Sequence, residues 1–341
     1  MSLNDYPWLL VSLERLPAVL PGALLIHGQR GTGKQYLARC LSQSQLCEAP
    51  VGIGFPCGHC EACHLFEVGN HPDFRHLQPE KDEEENTRDG AAKGSGTKKP
   101  SSIISVDAVR ELIGLTSVAA HRGGAKVIMI SPAEALHASA ANALLKMLEE
   151  PSRDTYFILV TNELKRILPT IRSRCFQLHV KVPLEAVDVG WLEQHDPQRA
   201  HVALALCSNA PFAARELAED ENFWAGRDAL LNLLIDSAAS PVEVAGVAEN
   251  VEPVMLGRLL TMWVFDLLSL QQGGDVRFNR DMERELERLS RSVSGSDLCR
   301  WSDDVQKFSR AAEHPLNRRL TLESLFAGWP GSSQRLVSVG R

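Results

Sequence analysis

Basic residues are in the minority in this chain: 36 Lys and Arg stand against 43 Asp and Glu, a formal net charge of −7. The deficit excludes a chain-wide basic face for nucleic acid, so any such contact must be local or shared with partners. No uninterrupted run of 18 apolar residues occurs, so nothing reads as a membrane span. Met1-Ser2-Leu3-Asn4-Asp5-Tyr6-Pro7 lacks the basic and apolar regions of a signal peptide. A soluble cytoplasmic protein without a membrane partner is the expectation. Apolar residues still make up 44% of 341 positions, enough for real cores, and the length implies two or three domains.

A magnesium ligand is the next absence. Gly28-Gln29-Arg30-Gly31-Thr32-Gly33-Lys34-Gln35 fits the phosphate-loop pattern G-x-x-x-x-G-K-[ST] except at its last position. In that pattern backbone N–H groups cradle phosphates, the Lys reaches the β/γ oxygens and the final hydroxyl ligates Mg²⁺. The Gln35 amide is a poor substitute for a hydroxyl on a hard cation. The flanks fit: Ala23-Leu24-Leu25-Ile26 reads as a buried parallel strand, and Leu37 and Leu41 share one face of a following helix. Downstream, Val127-Ile128-Met129-Ile130 reads as a second buried strand. A working ATPase of this type ends that strand in Asp-Glu, for metal and water. Here it ends in Ser131-Pro132, with Glu134 two residues beyond Pro132 as a displaced candidate base. Two defects in one coordination sphere argue against hydrolysis in this chain.

Four of the eight cysteines are clustered. Cys47, Cys57, Cys60 and Cys63 follow C-x9-C-x2-C-x2-C. In a reducing compartment this spacing points to a closed tetrahedral Zn²⁺ site that folds a small knob (about residues 47–71) without doing chemistry. Free thiols and an iron–sulfur cluster are the alternatives, and His59, His64 or His71 could replace a cysteine as ligand. Cys40, Cys175, Cys207 and Cys299 are isolated and read as buried small hydrophobes. Residues 80–100 hold no large apolar side chain, acidic first and basic later, and read as a mobile loop. Order resumes at a helical face of Val109, Leu112 and Ile113.

Asn142-Ala143-Leu144-Leu145-Lys146-Met147-Leu148-Glu149-Glu150-Pro151 reads as a helix stopped by proline, and the strand Tyr156–Val160 follows, ending in Thr161-Asn162. Then comes Leu168-Pro169-Thr170-Ile171-Arg172-Ser173-Arg174-Cys175. N-A-L-L-K-x-L-E-E-P and S-R-C together resemble the clamp-loader branch of the AAA+ ATPases, over roughly residues 5–220. Asn317–Phe326 more weakly resembles the family's last helix. With the defective loop and the cysteine insertion, the resemblance is to a non-hydrolysing subunit of the bacterial DNA polymerase III clamp loader.

The resemblance implies an arginine finger at Arg174, reaching the ATP site of an adjacent motor subunit. Ser173 and Cys175 would set its backbone and packing, and Arg172 is the less suited substitute. Asn162, with Thr161, matches the strand end that senses the γ-phosphate in active relatives. Phe212 stands where a second sensor arginine would be. Lys34, Gly28, Gly31, Thr32 and Gly33 are intact, so ATP or ADP could be held without hydrolysis; the sequence leaves occupancy open. The implied partners are ATPase motor subunits and the delta subunit in a hetero-pentameric ring, with the sliding clamp and primer-template DNA met through the complex.

The expected architecture is an α/β AAA+ P-loop domain with a parallel sheet and a zinc-binding insertion (residues 1–180), a small helical lid (181–222) and an all-α collar domain (223–341). Helical faces recur in Trp224–Ala238, Pro253–Gln271, Arg280–Val293 and Leu298–Ala312. Leu259, Leu260, Trp263, Val264 and Leu267 mark one helix as unusually apolar; a core is the usual reading, and the family's collar makes part of this face a candidate interface. No independent catalysis is expected of this part of a DNA-directed DNA polymerase (nucleotidyltransferase) holoenzyme. One rival is an active ATPase of the same branch using Glu134. Another is a nucleic-acid module read by the zinc knob, disfavoured by the acidic charge and by the absence of aromatic–basic interleaving around Cys47–Cys63.

Overall fold

Three of the apolar runs form the middle of a five-stranded, all-parallel sheet of order β2-β3-β4-β1-β5. The strands are β1 (Ala23–His27), β2 (Phe74–Leu77), β3 (Lys126–Ile130), β4 (Thr155–Thr161) and β5 (Phe176–His179). Leu24, Leu25, Ile26, Met129, Ile130, Ile158 and Leu159 expose no surface, as strands covered on both faces by helices require. The edge strands were not visible as apolar runs. Arg75, His76, Gln177 and His179 interrupt them, which an edge position tolerates.

The computed structural model describes residues 3–79, 103–116, 120–122, 124–182, 197–311 and 317–332. The segment 80–100 read as a mobile loop lies outside the described residues. The chain divides into two units, 1–188 and 189–341. Around the sheet of the first lie α1 (Pro7–Leu13), α2 (Lys34–Leu46), α3 (Glu61–Glu67), α4 (Val106–Thr116), α5 (Ala138–Glu149) and α6 (Pro169–Arg172). Leu37 and Leu41 of α2 are fully buried, and α2 packs on β3 and β4. Val109 and Leu112 of α4 join Ala140, Leu144 and Leu148 of α5 over Ile128, Ile130, Phe157 and Leu159.

The second unit is all-helical where described: α7 (Pro197–Leu206), α8 (Pro211–Glu219), α9 (Glu221–Ile235), α10 (Pro241–Ala248), α11 (Pro253–Gln271), α12 (Glu283–Ser292), α13 (Gly295–Ala311) and α14 (Arg318–Ala327). A capping box of Ser240 and Glu243 starts α10, Glu252 accepts from Val254 and Met255 N–H to start α11, and Asn317 caps α14. Two charged groups without exposed surface are paired, although the Nε of Arg227 is buried without a partner. Arg227 donates to both carboxylate oxygens of Asp281 at 2.7 and 2.9 Å and to Asn279 at 3.0 Å. Asp266 accepts from the backbone N–H groups of Arg277, Phe278 and Asn279. Such pairing is what makes buried charge tolerable.

Two sequence readings are corrected here. Leu259, Leu260, Trp263, Val264 and Leu267 are at most 2% exposed, so they are this unit's core and not an interface; the outward apolar residues of α11 are Val254 and Phe265. And although no 18-residue run is purely apolar, α11 is long and apolar enough to cross a membrane by length and composition. Arg258 and Asp266 interrupt its sequence, and half of the window is buried inside the protein, as in a core helix.

Candidate functional site

In a parallel sheet all strands end at one edge, and the loop after β1 begins there. Gly28 has φ 152°, and a Cβ on it would lie 2.4 Å from the carbonyl oxygen of Val180, so only glycine lets the chain leave β1 this close to the end of β5. Gly33, at φ 88°, turns the chain into α2. The loop is braced by Trp8 Nε1 donating to the Thr32 carbonyl at 2.9 Å and by Thr32 Oγ1 donating to the Gln29 carbonyl at 3.0 Å.

Lys34 is 3% exposed, and its ammonium donates to the Gln29 carbonyl at 2.5 Å. The ammonium has three N–H donors, and this bond uses one of them. The glycine turns and the α2 N-terminus still form an anion cradle, so the residues fit a nucleotide phosphate, whose charge would stay wholly on the nucleotide and Lys34. Gln35, at the metal position, is exposed. Ser131 is 8% exposed and uses its N–H on the Leu77 carbonyl.

Glu134 sits on a 3-10 turn, where one carboxylate oxygen accepts from the N–H and side-chain amide of Asn162 at 3.1 and 3.3 Å, and the other is buried with no partner. Glu134 and the sensor-position Asn162 thus anchor each other, with one carboxylate oxygen engaged by Asn162 and the other buried. Thr161 is fully buried and accepts from the Glu163 N–H. At the same edge the imidazoles of His27 and His179 stack at 4.7 Å. Burial, with nearby cations, holds both below the usual histidine range, so the pair adds no positive charge for an anion at pH 7.

Burial pushes Lys34 down to about 8, partly opposed by the Glu134 charge. Because the folded value is below the unfolded one, the unfolded chain binds more protons between the two. Stability therefore rises with pH from about 8 towards 10.5. Lys34→Met is expected to be more stable than wild type at pH 7 by up to about 3 kcal/mol, with the gap closing by pH 10. Denaturant melts of both proteins across that range check the sign; a gap that widens with pH would contradict it.

The four cysteines come from three short pieces. Cys47 ends α2, Cys57 follows a turn, and Cys60 caps α3, which contains Cys63. All four Sγ atoms lie within 4.8 Å of one another, with Cys47–Cys60 at 3.9 Å and Cys57–Cys63 at 4.0 Å. A tetrahedron with Zn–S bonds of about 2.3 Å has edges near 3.8 Å, so the donor set fits Zn²⁺. N–H groups of Cys57, Cys60 and Cys63 point to the sulfurs of Cys47, Cys57 and Cys60, as thiolate acceptors require.

The histidine substitutes are not brought in. His59 and His64 are exposed, while His71 is buried with Nδ1 accepting from the Asp73 N–H. Sequence reasoning missed Arg122, which bridges Glu48 and Glu61 at 2.9 and 2.7 Å. The available signal was an acidic residue directly after Cys47 and after Cys60. Of the isolated cysteines, burial pushes Cys175 and Cys207 up to about 12 and about 11, and Cys40 is half-buried. Cys299 is exposed, contrary to its reading as a core residue, because it falls on the solvent face of α13.

Arg174 lies at the other edge of the sheet. It lies in the turn between α6 and β5, just before Phe176, which pairs with Leu24 near the start of β1, whereas the phosphate loop follows the end of β1. Its guanidinium is one-third exposed, donates from Nε to Glu149 at 2.6 Å and from Nη1 to the Thr170 carbonyl at 3.0 Å, and pairs through Nη2 with the same Glu149 oxygen. Ser173 Oγ donates to that carbonyl too, and Cys175 packs into the core beside Ile171. Arg172 is half-buried, with its Nε buried and unpartnered. Phe212 is the second residue of α8 in the second unit and is half-buried.

Residues 18–183 match the family described as DNA polymerase III, delta subunit. A protein named DNA polymerase III subunit delta' from Pseudomonas aeruginosa is 34% identical over 339 residues, covering 95% of this chain and 97% of that one. One of the same name from Escherichia coli K12 is 35% identical over 311 residues, covering 88% and 87%. Among solved structures, a DNA polymerase III gamma subunit-related protein from Thermotoga maritima is 18% identical, with 96% and 98% coverage and a TM-score of 0.44.

Proposed function

The chain belongs to the DNA polymerase III delta' family, and from that premise we propose that it is a non-hydrolysing clamp-loader subunit. It acts as a stator and supplies Arg174 in trans to a neighbouring ATPase subunit while the ring loads the sliding clamp onto primed DNA. Motor subunits and delta are its direct partners in a hetero-pentamer; clamp and primer-template DNA are met through the complex. Residues 1–180 are the AAA+ domain with the zinc knob, 181–222 a lid and 223–341 the collar that joins the ring.

One observation carries this reading: the group suited to phosphoryl transfer and the loop suited to phosphate lie at opposite edges of one sheet. Arg174 precedes β5 and Lys34 follows β1, so the arginine stands at the end of the strands away from the loop of its own chain. The loop in turn has Gln35 and Ser131 where metal ligands would stand, and the Glu134 carboxylate, which acts on Lys34, is held by Asn162. ATP or ADP bound there is retained and not turned over.

The purified chain with Mg²⁺ and ATP is expected to release no phosphate above background. Turnover that disappears in Lys34→Ala would establish the active ATPase instead.

A further inference from the structure

Glu149 is the last residue of α5, with Glu150 as its C-cap. A carboxylate there faces the negative end of the helix macrodipole, an unfavourable placement without a cationic partner. The partner is Arg174, twenty-five residues on and in another element. A guanidinium has five N–H donors in a fixed fork. Three are committed: Nε and one Nη2 hydrogen to Glu149, and one Nη1 hydrogen to the Thr170 carbonyl. One N–H on each Nη remains, and the side chain is 34% exposed.

Resting on the finger reading above, we infer that Glu149 is the positioning residue of Arg174. It clamps the side edge of the guanidinium so that the two free N–H groups are held outward for a phosphoryl oxygen of the neighbouring subunit. The Thr170 carbonyl completes the clamp from the opposite side. An unclamped arginine would sample many rotamers and meet the transferring phosphate only part of the time. Because the contact is made in the transition state, its loss acts on kcat and not on KM for ATP.

The reconstituted complex tests this, with ATP turnover measured for Glu149→Ala, Glu149→Gln, Glu149→Asp, Arg174→Ala and the Glu149→Ala/Arg174→Ala double variant. Glu149→Ala is expected to lower kcat on the order of 10-fold or more at the affected site, with KM unchanged. Glu149→Asp, which keeps charge and fold but withdraws the carboxylate by one methylene, gives a comparable loss. Glu149→Gln keeps an acceptor oxygen and recovers most of the rate. The double variant is no slower than Arg174→Ala alone, since Glu149 acts only through the arginine. Wild-type kcat in Glu149→Ala and Glu149→Asp, or an equal further loss on the Arg174→Ala background, overturns the inference while leaving the finger in place. Wild-type kcat in Arg174→Ala overturns both.

Discussion

If the four cysteines hold zinc as their geometry fits, a strong chelator is expected to unfold the segment from Cys47 to Glu67 and leave the five-stranded sheet intact. The segment has little else to hold it. Its fully buried apolar side chains are few, Ala62, Cys63 and Phe66, far short of the core that a stretch of this size needs. The bridges from Arg122 to Glu48 and Glu61 are exposed and contribute at most about 1 kcal/mol each. A structural zinc site, by contrast, supplies about 10–16 kcal/mol, nearly all of it felt as folding energy. Phe66 stays near Phe74 and Arg39 only while α3 is in place. Amide hydrogen exchange over residues 57–67 should collapse on chelation, while β1 and β4 keep their protection. Metal analysis should find one zinc per chain, reduced in Cys57→Ser. Unchanged protection after metal removal, or bound iron in place of zinc, would contradict the assignment.

Arg174→Ala carries the second large effect, and it falls on another subunit. A finger that neutralises charge on a transferring phosphoryl group is worth about 10³–10⁵ in rate. The loss is confined to the site beside this chain, so total turnover falls by that site's share. The fold should be nearly indifferent to the change. The ion pair with Glu149 is partly exposed on both sides, and such pairs contribute about 0–1 kcal/mol. The variant is therefore expected to assemble with its partners and elute as the wild-type complex does.

Much of the sheet could be read from sequence because β1, β3 and β4 are buried on both faces and must be apolar throughout. β2 and β5 could not, since edge strands accept Arg75 or Gln177 without cost. The cysteine cluster was legible from spacing alone, as metal geometry ties ligand order to short turns. The helix around Trp263 allows two readings, core or collar interface, and its residues, apolar all round, follow the first because such a pattern marks burial. Glu149 and Arg122 were out of reach. Each is defined by partners from distant parts of the chain, a relation with no local period or spacing. The phosphate loop is legible from its glycine and lysine spacing, but the bond that satisfies Lys34 within its own loop is not, because it follows from the path of the Gln29 carbonyl.

The account separates a retained cradle from a working finger, and a paired comparison tests that separation most directly. ATP turnover by the reconstituted complex should be measured with Lys34→Ala and with Arg174→Ala, each alone in this chain. The prediction is wild-type turnover for Lys34→Ala and a deep loss at one site for Arg174→Ala. Loss with Lys34→Ala and none with Arg174→Ala would place catalysis in the loop of this chain and contradict the account.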